Sequence, residues 1–175
     1  MPNCDTGLVS VLMSVYNGAP TLEKAAASVL AQTYRDLELI LCDDASTDDT
    51  WRIMQRIAVQ DARVTIFQNK TNLGLGASLN ECLARAQGAY IARQDADDVS
   101  DSDRIERTMD FLLSSGAPYA ACGVRVFDDT GVWSTRQFPQ KITKHIIAHI
   151  VRHLKLLRRD KHNPHIVISD KCIDQ

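Results

Sequence analysis

Leu8-Val-Ser-Val-Leu-Met-Ser-Val15 is a β-branched, nearly continuous apolar run, the pattern of a strand covered on both faces rather than one. After a polar turn, residues 21–32 place Leu22, Ala25, Ala26, Val29 and Leu30 at helical spacing, so a helix follows the strand. The unit then repeats. Residues 37–42 renew the strand signal, and Ser46-Thr-Asp-Asp49 has the spacing of an N-terminal cap before a helix carrying Trp51, Ile53, Met54 and Ile57. Residues 64–67 predict a third strand and Asn72-Leu-Gly-Leu-Gly76 a flexible connection. Leu79, Cys82, Leu83 and Ala86 form the inner face of a third helix, which Gly88 stops. A short strand over 90–93, a helix over 103–113 with Ile105, Met109 and Leu112 inward, and a fifth strand over 119–127 complete the series. This alternation predicts an α/β fold, a mostly parallel sheet with helices on both faces.

The chain has 175 residues, 45% hydrophobic and 24% charged, enough to bury the core of one domain and too few for two. No apolar run reaches the roughly 20 residues of a membrane span. Met1-Pro-Asn-Cys-Asp5 lacks the basic and apolar regions of a secretory signal, so a cytoplasmic protein is expected. Five cysteines (Cys4, Cys42, Cys82, Cys122, Cys172) lie far apart with no Cys-x-x-Cys pair, which predicts reduced thiols rather than a zinc site or a disulfide framework. A formal charge of −2 argues against a nucleic-acid partner. The charge is uneven, however: residues 1–140 hold 12 Lys and Arg against 19 Asp and Glu, whereas residues 141–175 hold 8 against 3 and all five histidines. A composition boundary is therefore expected near Gln140, separating a domain over 1–140 from a basic segment over 141–175.

In open parallel sheets, ligands bind beyond the carboxyl ends of the strands, where the strand order reverses. The first strand here ends in Ser14-Val-Tyr-Asn-Gly18, the second in Asp43-Asp-Ala-Ser46, and the fourth runs into Gln94-Asp-Ala-Asp-Asp98. Asp95, Asp97 and Asp98 are three carboxylates within four residues, which repel one another unless water or a cation offsets them. Mg²⁺ or Mn²⁺ does this with oxygen ligands and fills its other positions with waters and phosphates, so the cluster reads as a metal–diphosphate clamp. The alternative is a solvated acidic turn with capping aspartates. Asp43 and Asp44 divide similarly between loop caps and carboxylates that accept hydrogen bonds from a ribose or a base, and Asp48 and Asp49 are expected to cap the second helix. Tyr16 offers a stacking face, or else packs an edge. There is no G-x-G-x-x-G after the first strand and no G-x-x-x-x-G-K-[ST], so phosphates would need a metal instead.

Val9-Ser-Val-Leu-Met-Ser-Val-Tyr-Asn17, Ser28-Val-Leu-Ala-Gln-Thr-Tyr34, Asp43-Asp-Ala-Ser-Thr-Asp48, Asn72-Leu-Gly74 and Asp95-Ala-Asp-Asp98 with Asp103-Arg104 occur in that order over roughly the first 130 residues. Together they resemble the family-2 glycosyltransferases of the GT-A fold. The resemblance implies a nucleotide-diphosphate-sugar donor, a divalent Mn²⁺ or Mg²⁺, and transfer of the sugar to a hydroxyl of a glycan or lipid-linked acceptor with inversion. By matching position it implies that Ser14, Tyr16, Asn17, Asp43, Asp44, Gly74 and Asp95 bind the nucleotide sugar. Ser14 and Tyr16 would line the base pocket, Asp44 would read the base, and Asp97 with Asp95 would hold the metal. It also implies an Asp or Glu base in a later acidic motif. After Asp129 the acids are Asp160, Asp170 and Asp174, none in a Glu-Asp pair and none after a strand-like run, so the base is not found. A non-catalytic donor-binding domain is the second reading. A nucleotidyltransferase is a third, against which the absent glycine-rich basic loop counts.

Residues 143–158 carry Ile146, Ile147, Ile150, Val151, Leu154 and Leu157 on one face and His145, His149, Arg152 on the other, an amphipathic helix. Packing of its apolar stripe on the sheet is the expected fate. Peripheral contact with the inner face of the membrane and a metal site of His145, His149 and His153 are the alternatives.

Overall fold

The structure is a computed structural model that describes residues 7–117, 119–128, 131–136 and 165–168. The elements run β1 (Val9–Val15), α1 (Leu22–Leu30), β2 (Leu37–Asp43), α2 (Thr50–Gln60), β3 (Val64–Gln68), α3 (Leu75–Leu83) and β4 (Tyr90–Arg93). They continue with α4 (Arg104–Ser115), β5 (Tyr119–Ala121), β6 (Val124–Asp128), β7 (Gly131–Arg136) and β8 (His165–Ile168). Six strands form one sheet in the order β3-β2-β1-β4-β8-β5, every pair parallel. The chain steps outward from β1 to β2 and β3, then returns to place β4 on the other side of β1. The order therefore reverses between β1 and β4, and a crevice opens at their carboxyl ends.

The continuous apolar run of β1 is explained by two cores. Val9, Val11, Met13 and Val15 face a layer built from Leu22, Ala25, Ala26 and Val29 of α1, Met54 and Ile57 of α2, and Ile105, Met109 and Leu112 of α4. Leu12 turns to the opposite face with Ile40, Cys42 and Ile91, where Leu79 and Cys82 of α3 cover it. The period of two along the strand thus meets apolar side chains on both sides, as the sequence pattern requires. Cys42 and Cys82 are buried free thiols in the second core. Hydrogen bonding to Cys42 first, and burial second, push the Cys82 thiol up, which keeps it neutral.

Three expectations need correcting. The predicted strand over 119–127 is two strands: β5 joins the main sheet beside β8, whereas β6 leaves it at Cys122-Gly123 and pairs antiparallel with β7. β8 inserts between β4 and β5 although no strand is anticipated after residue 140. It ends two residues before Asp170, which itself lies outside the described residues. Capping differs in part: Asp48 accepts the Thr50 N–H at the start of α2 at 3.0 Å, whereas Asp49 makes no side-chain cap bond and pairs with Arg52 at 3.2 Å, as Asp103 before α4 pairs with Arg107 at 3.7 Å. The amphipathic segment over 143–158, with His145, His149 and His153, lies outside the described residues, as do Cys4 and Cys172. Among the described residues no helix is long and apolar enough to cross a membrane.

Gly88 does not end α3, which stops at Leu83 with Ala84 as its C-cap, so Ala86 also lies beyond the helix; the glycine supplies room instead. A Cβ there would stand 2.5 Å from the Leu8 carbonyl oxygen, just before β1, and 2.8 Å from the Ser10 amide nitrogen within it, both backbone atoms. The Gly88 N–H meanwhile donates to Ser10 Oγ at 2.8 Å. Gly88→Ala must push the chain off β1, at an expected cost of about 1–3 kcal/mol by chemical denaturation.

Candidate functional site

Parallel pairing places the loops after β1, β2 and β4 at one edge of the sheet. The Asp44 N–H donates to the Val15 carbonyl at 2.8 Å on one side of β1, and the Gln94 N–H donates to the Leu12 carbonyl at 3.1 Å on the other. The two acidic clusters therefore flank the end of the same strand. Ser14 is half-buried there, and Tyr16, one residue past β1, is 52% exposed. Asn17 follows in the left-handed region with φ 52°, a conformation its short polar side chain tolerates.

The β1–α1 and β2–α2 loops are stitched together. The Asn17 N–H donates to Ser46 Oγ at 2.8 Å, and Asn17 Oδ1 accepts from the Thr47 N–H at 2.8 Å. The Gly18 N–H donates to Thr50 Oγ1 at 2.9 Å, and the Ala19 N–H to Asp48 Oδ2 at 3.1 Å. Ser46 and Asp48 thus serve the neighbouring loop, with Asp48 also accepting the Thr50 N–H at 3.0 Å.

Asp43 and Asp44 share a strand end and divide their work. Asp43 is fully buried; its Oδ1 accepts the Ser46 N–H at 2.9 Å and its Oδ2 the Gln68 amide at 2.7 Å. Asp44, 3% exposed, gathers the β3–α3 loop: Oδ1 accepts from Asn69 Nδ2 at 2.9 Å and the Leu73 N–H at 2.8 Å, and Oδ2 accepts the Gly74 N–H at 2.8 Å. Gly74, at φ 80°, is the residue before α3, so its amide is aimed at the carboxylate by a backbone turn only glycine takes easily. Burial pushes the Asp44 carboxyl up, but the bonds from Leu73, Asn69, Ser78 and Gly74 together outweigh it and hold the group below the usual range. It remains an anion and an acceptor.

The second acidic cluster differs from this one. The Asp98 N–H closes a turn onto the Asp95 carbonyl at 3.2 Å. One carboxylate oxygen each from Asp95, Asp97 and Asp98 lies within 4.8 Å of the others, with Asp97 exposed and its two companions half-buried. Arg93, at the end of β4, reaches Asp95 Oδ1 with Nη2 at 2.6 Å. The resemblance assigned Arg93 no part; the clue in the sequence is a basic residue two positions before an acid at a strand end. Three hard oxygen donors converging on a partly open point are the set that Mg²⁺ or Mn²⁺ prefers, so the residues present fit such an ion.

Two expected outcomes test this geometry. Ala45 holds φ 62°, which costs a residue with a Cβ about 1–2 kcal/mol, and glycine's greater freedom in the unfolded chain offsets part of the relief. Ala45→Gly should accordingly raise Tm by about 1–3 °C in a thermal scan. The Asp44 carboxyl titrates lower folded than unfolded, so the unfolded chain takes up its proton first as pH falls. Its contribution is present in full above about pH 4 and is lost through the more acid range. In denaturation series at several pH values, the stability gap between wild type and Asp44→Asn should be constant near neutrality and narrow below pH ~4.

Comparison with known proteins agrees with this architecture. The chain is 47% identical over 133 residues to EpsE of Bacillus subtilis (strain 168), a glycosyltransferase by name, which covers 75% of this chain and 48% of EpsE. It is 34% identical over 131 residues to WfaP of Escherichia coli, named a UDP-Glc:α-D-GlcNAc-diphosphoundecaprenol β-1,3-glucosyltransferase, covering 73% of this chain and 51% of WfaP. The chain thus spans about half the length of these curated relatives. Among solved structures, TarS 1–349 of S. aureus superposes with a TM-score of 0.64 at 23% identity, over 75% of this chain and 38% of TarS, which shows a shared fold. The mannosyltransferase PcManGT of Pyrobaculum calidifontis, in complex with GDP-Man and Mn²⁺, gives 0.56 at 27% identity, over 61% of this chain and 32% of that one. Residues 10–172 match the family model described as glycosyl transferase family 2, and the chain belongs to that family.

Proposed function

We propose that this chain binds a nucleotide-diphosphate sugar in the crevice beyond β1 and β4, as the donor side of an inverting, metal-dependent glycosyltransferase. The observation that carries the reading is the convergence of the Asp95, Asp97 and Asp98 carboxylates at the point where strand order reverses. Relatives lend support: PcManGT is in complex with GDP-Man and Mn²⁺, and TarS has been solved with UDP and with UDP-GlcNAc.

In this reading Tyr16 stacks on the base, Ser14 and Asn17 line the pocket, and Asp44 offers an ionised acceptor to a base N–H. Asp43, with no exposed surface, acts by holding the loop that carries Asp44. Gly74 closes the pocket from the β3–α3 side. Asp97 and Asp95 would hold the cation, with Asp98 beside them. A bound Mn²⁺ or Mg²⁺ supplies Lewis-acid stabilisation of the diphosphate as it departs, so no protein acid is needed there. The acceptor hydroxyl attacks the anomeric carbon, the bond to the diphosphate oxygen breaks, and the hydroxyl proton passes to a base. Among the described residues no acid is assigned that role; Asp160, Asp170 and Asp174 lie outside them.

The acceptor is a glycan or a lipid-linked sugar, in line with the diphosphoundecaprenol acceptor in WfaP's name, and the setting is polysaccharide or glycoconjugate synthesis at the cytoplasmic face of the membrane. Titration calorimetry with UDP and GDP, each with and without Mn²⁺, tests the donor site directly. Wild type should bind one of them more tightly with metal, and Asp97→Asn should lose most of that gain, about tenfold or more. An Asp97→Asn protein with the wild-type gain would overturn the assignment.

A further inference from the structure

Three mutually repelling carboxylates converge only if something other than the acids holds their backbone. Directly before them in the chain, Gln94 is 1% exposed, an unusual place for an amide. Its Nε2 donates to the Asp95 carbonyl at 3.2 Å and the Asp98 carbonyl at 3.0 Å, the two ends of the acidic turn. Its Oε1 accepts Ser100 Oγ at 2.5 Å and Arg104 Nη2 at 3.3 Å. Both donors and both acceptor positions of the amide are therefore used.

The far ends of this network are equally fixed. The Ser100 N–H donates to Ser28 Oγ at 3.1 Å, and that hydroxyl bonds the Ala25 carbonyl inside α1. Arg104, the first residue of α4 and 7% exposed, ties its own N–H to the Asp101 carbonyl at 3.1 Å. Gln94 thus connects the acidic turn to two helices of the first core. A carboxylate in its place could not donate to the two carbonyls, and an apolar residue would take the amide's bonds from the Asp98 carbonyl and Arg104 in a buried setting and leave the Asp95 carbonyl only the Asp98 N–H.

We propose that Gln94, braced by Ser100 and Arg104, is a positioning residue that sets the spacing of the Asp95 and Asp97 carboxylates for a divalent cation. The inference rests on the reading of Asp95 and Asp97 as cation ligands given above. Gln94 touches neither cation nor substrate and acts through the backbone of the turn.

The test compares wild type, Gln94→Met and Ser100→Ala by titration with UDP, and with GDP in parallel, each with and without Mn²⁺, alongside circular dichroism and Tm. Positioning predicts that Gln94→Met loses about 10- to 100-fold of the Mn²⁺-dependent gain in nucleotide affinity while metal-free affinity stays near wild type. Ser100→Ala, which keeps its N–H bond to Ser28 and removes only the hydroxyl that braces Oε1, should lose part of the same gain. A folded Gln94→Met with the full gain overturns the proposal, and so does a parallel fall in metal-free and metal-dependent affinity, the mark of a merely structural role. If Gln94→Met does not fold, Ser100→Ala decides alone, and an undiminished gain in it overturns the proposal. Wild type without any Mn²⁺-dependent gain would sink the donor-site reading and this inference with it, an outcome distinct from failure of the variants.

Discussion

Parallel pairing of β1 with β2 on one side and β4 on the other is the constraint from which the site follows. Because all six strands of the main sheet run the same way, their carboxyl ends open on one edge. Because β1 sits at the reversal, the two loops beside it cannot be covered by a crossover helix at that point. The last ladder bonds, from Asp44 to Val15 and from Gln94 to Leu12, then deliver acidic residues to either flank of one crevice. Burial of β1 on both faces makes this arrangement stiff: a one-residue slip would move Val11 and Met13 out of one core and Leu12 out of the other.

The acidic clusters at that edge are built on opposite principles. Asp43 and Asp44 are buried anions bonded from within, by the Gln68 amide at the end of β3 and by amides of the β2–α2 and β3–α3 loops that they pull together. Such carboxylates organise structure, and Asp44, whose Oδ2 accepts a single bond from the Gly74 N–H, keeps an acceptor position beside its fixed negative charge. The cost is local strain, visible as positive φ at Asn17 and Ala45 on either side of the β1–β2 edge. The 95–98 turn instead has its backbone held by a neighbouring amide, and it directs side-chain oxygens toward one another and toward solvent. An arrangement that raises electrostatic repulsion is stable only where other parts of the fold oppose it, which the Gln94 network and Arg93 do.

Much of this was legible in the sequence. β1 through β4 and the four helices follow from apolar periodicity, since each contacts its core with a regular repeat, and both acid clusters stand at strand ends that this periodicity locates. β8 was not legible: His165-Ile-Val-Ile168 holds an apolar run of only three residues, and only its insertion between β4 and β5 makes it a strand. The split of β5 from β6 escaped for a related reason, because strand propensity continues across Gly123 while the pairing partner changes. Gln94 and Ser100 carried no motif, and Arg104 stood in a matching block without a role, as their meaning lies in bonds that close only when α1 and α4 pack beside β4. Gly88 looked like a helix stop, yet what it supplies is room against β1.

Charge at the crevice gives the last step. Asp95, Asp97 and Asp98 with the Arg93 guanidinium carry a formal charge of −2, and the Arg104 guanidinium approaches from beneath through the Gln94 amide. Arg93 lowers the repulsion without closing the site, because it engages one oxygen of Asp95 from the strand side while Asp97 stays exposed. A nucleoside diphosphate brings negative charge of its own, so a crevice of this sign binds it well only together with a cation that both sides share. If the crevice is the donor site proposed above, these electrostatics couple nucleotide and cation: each should strengthen the binding of the other, by the same factor in both directions.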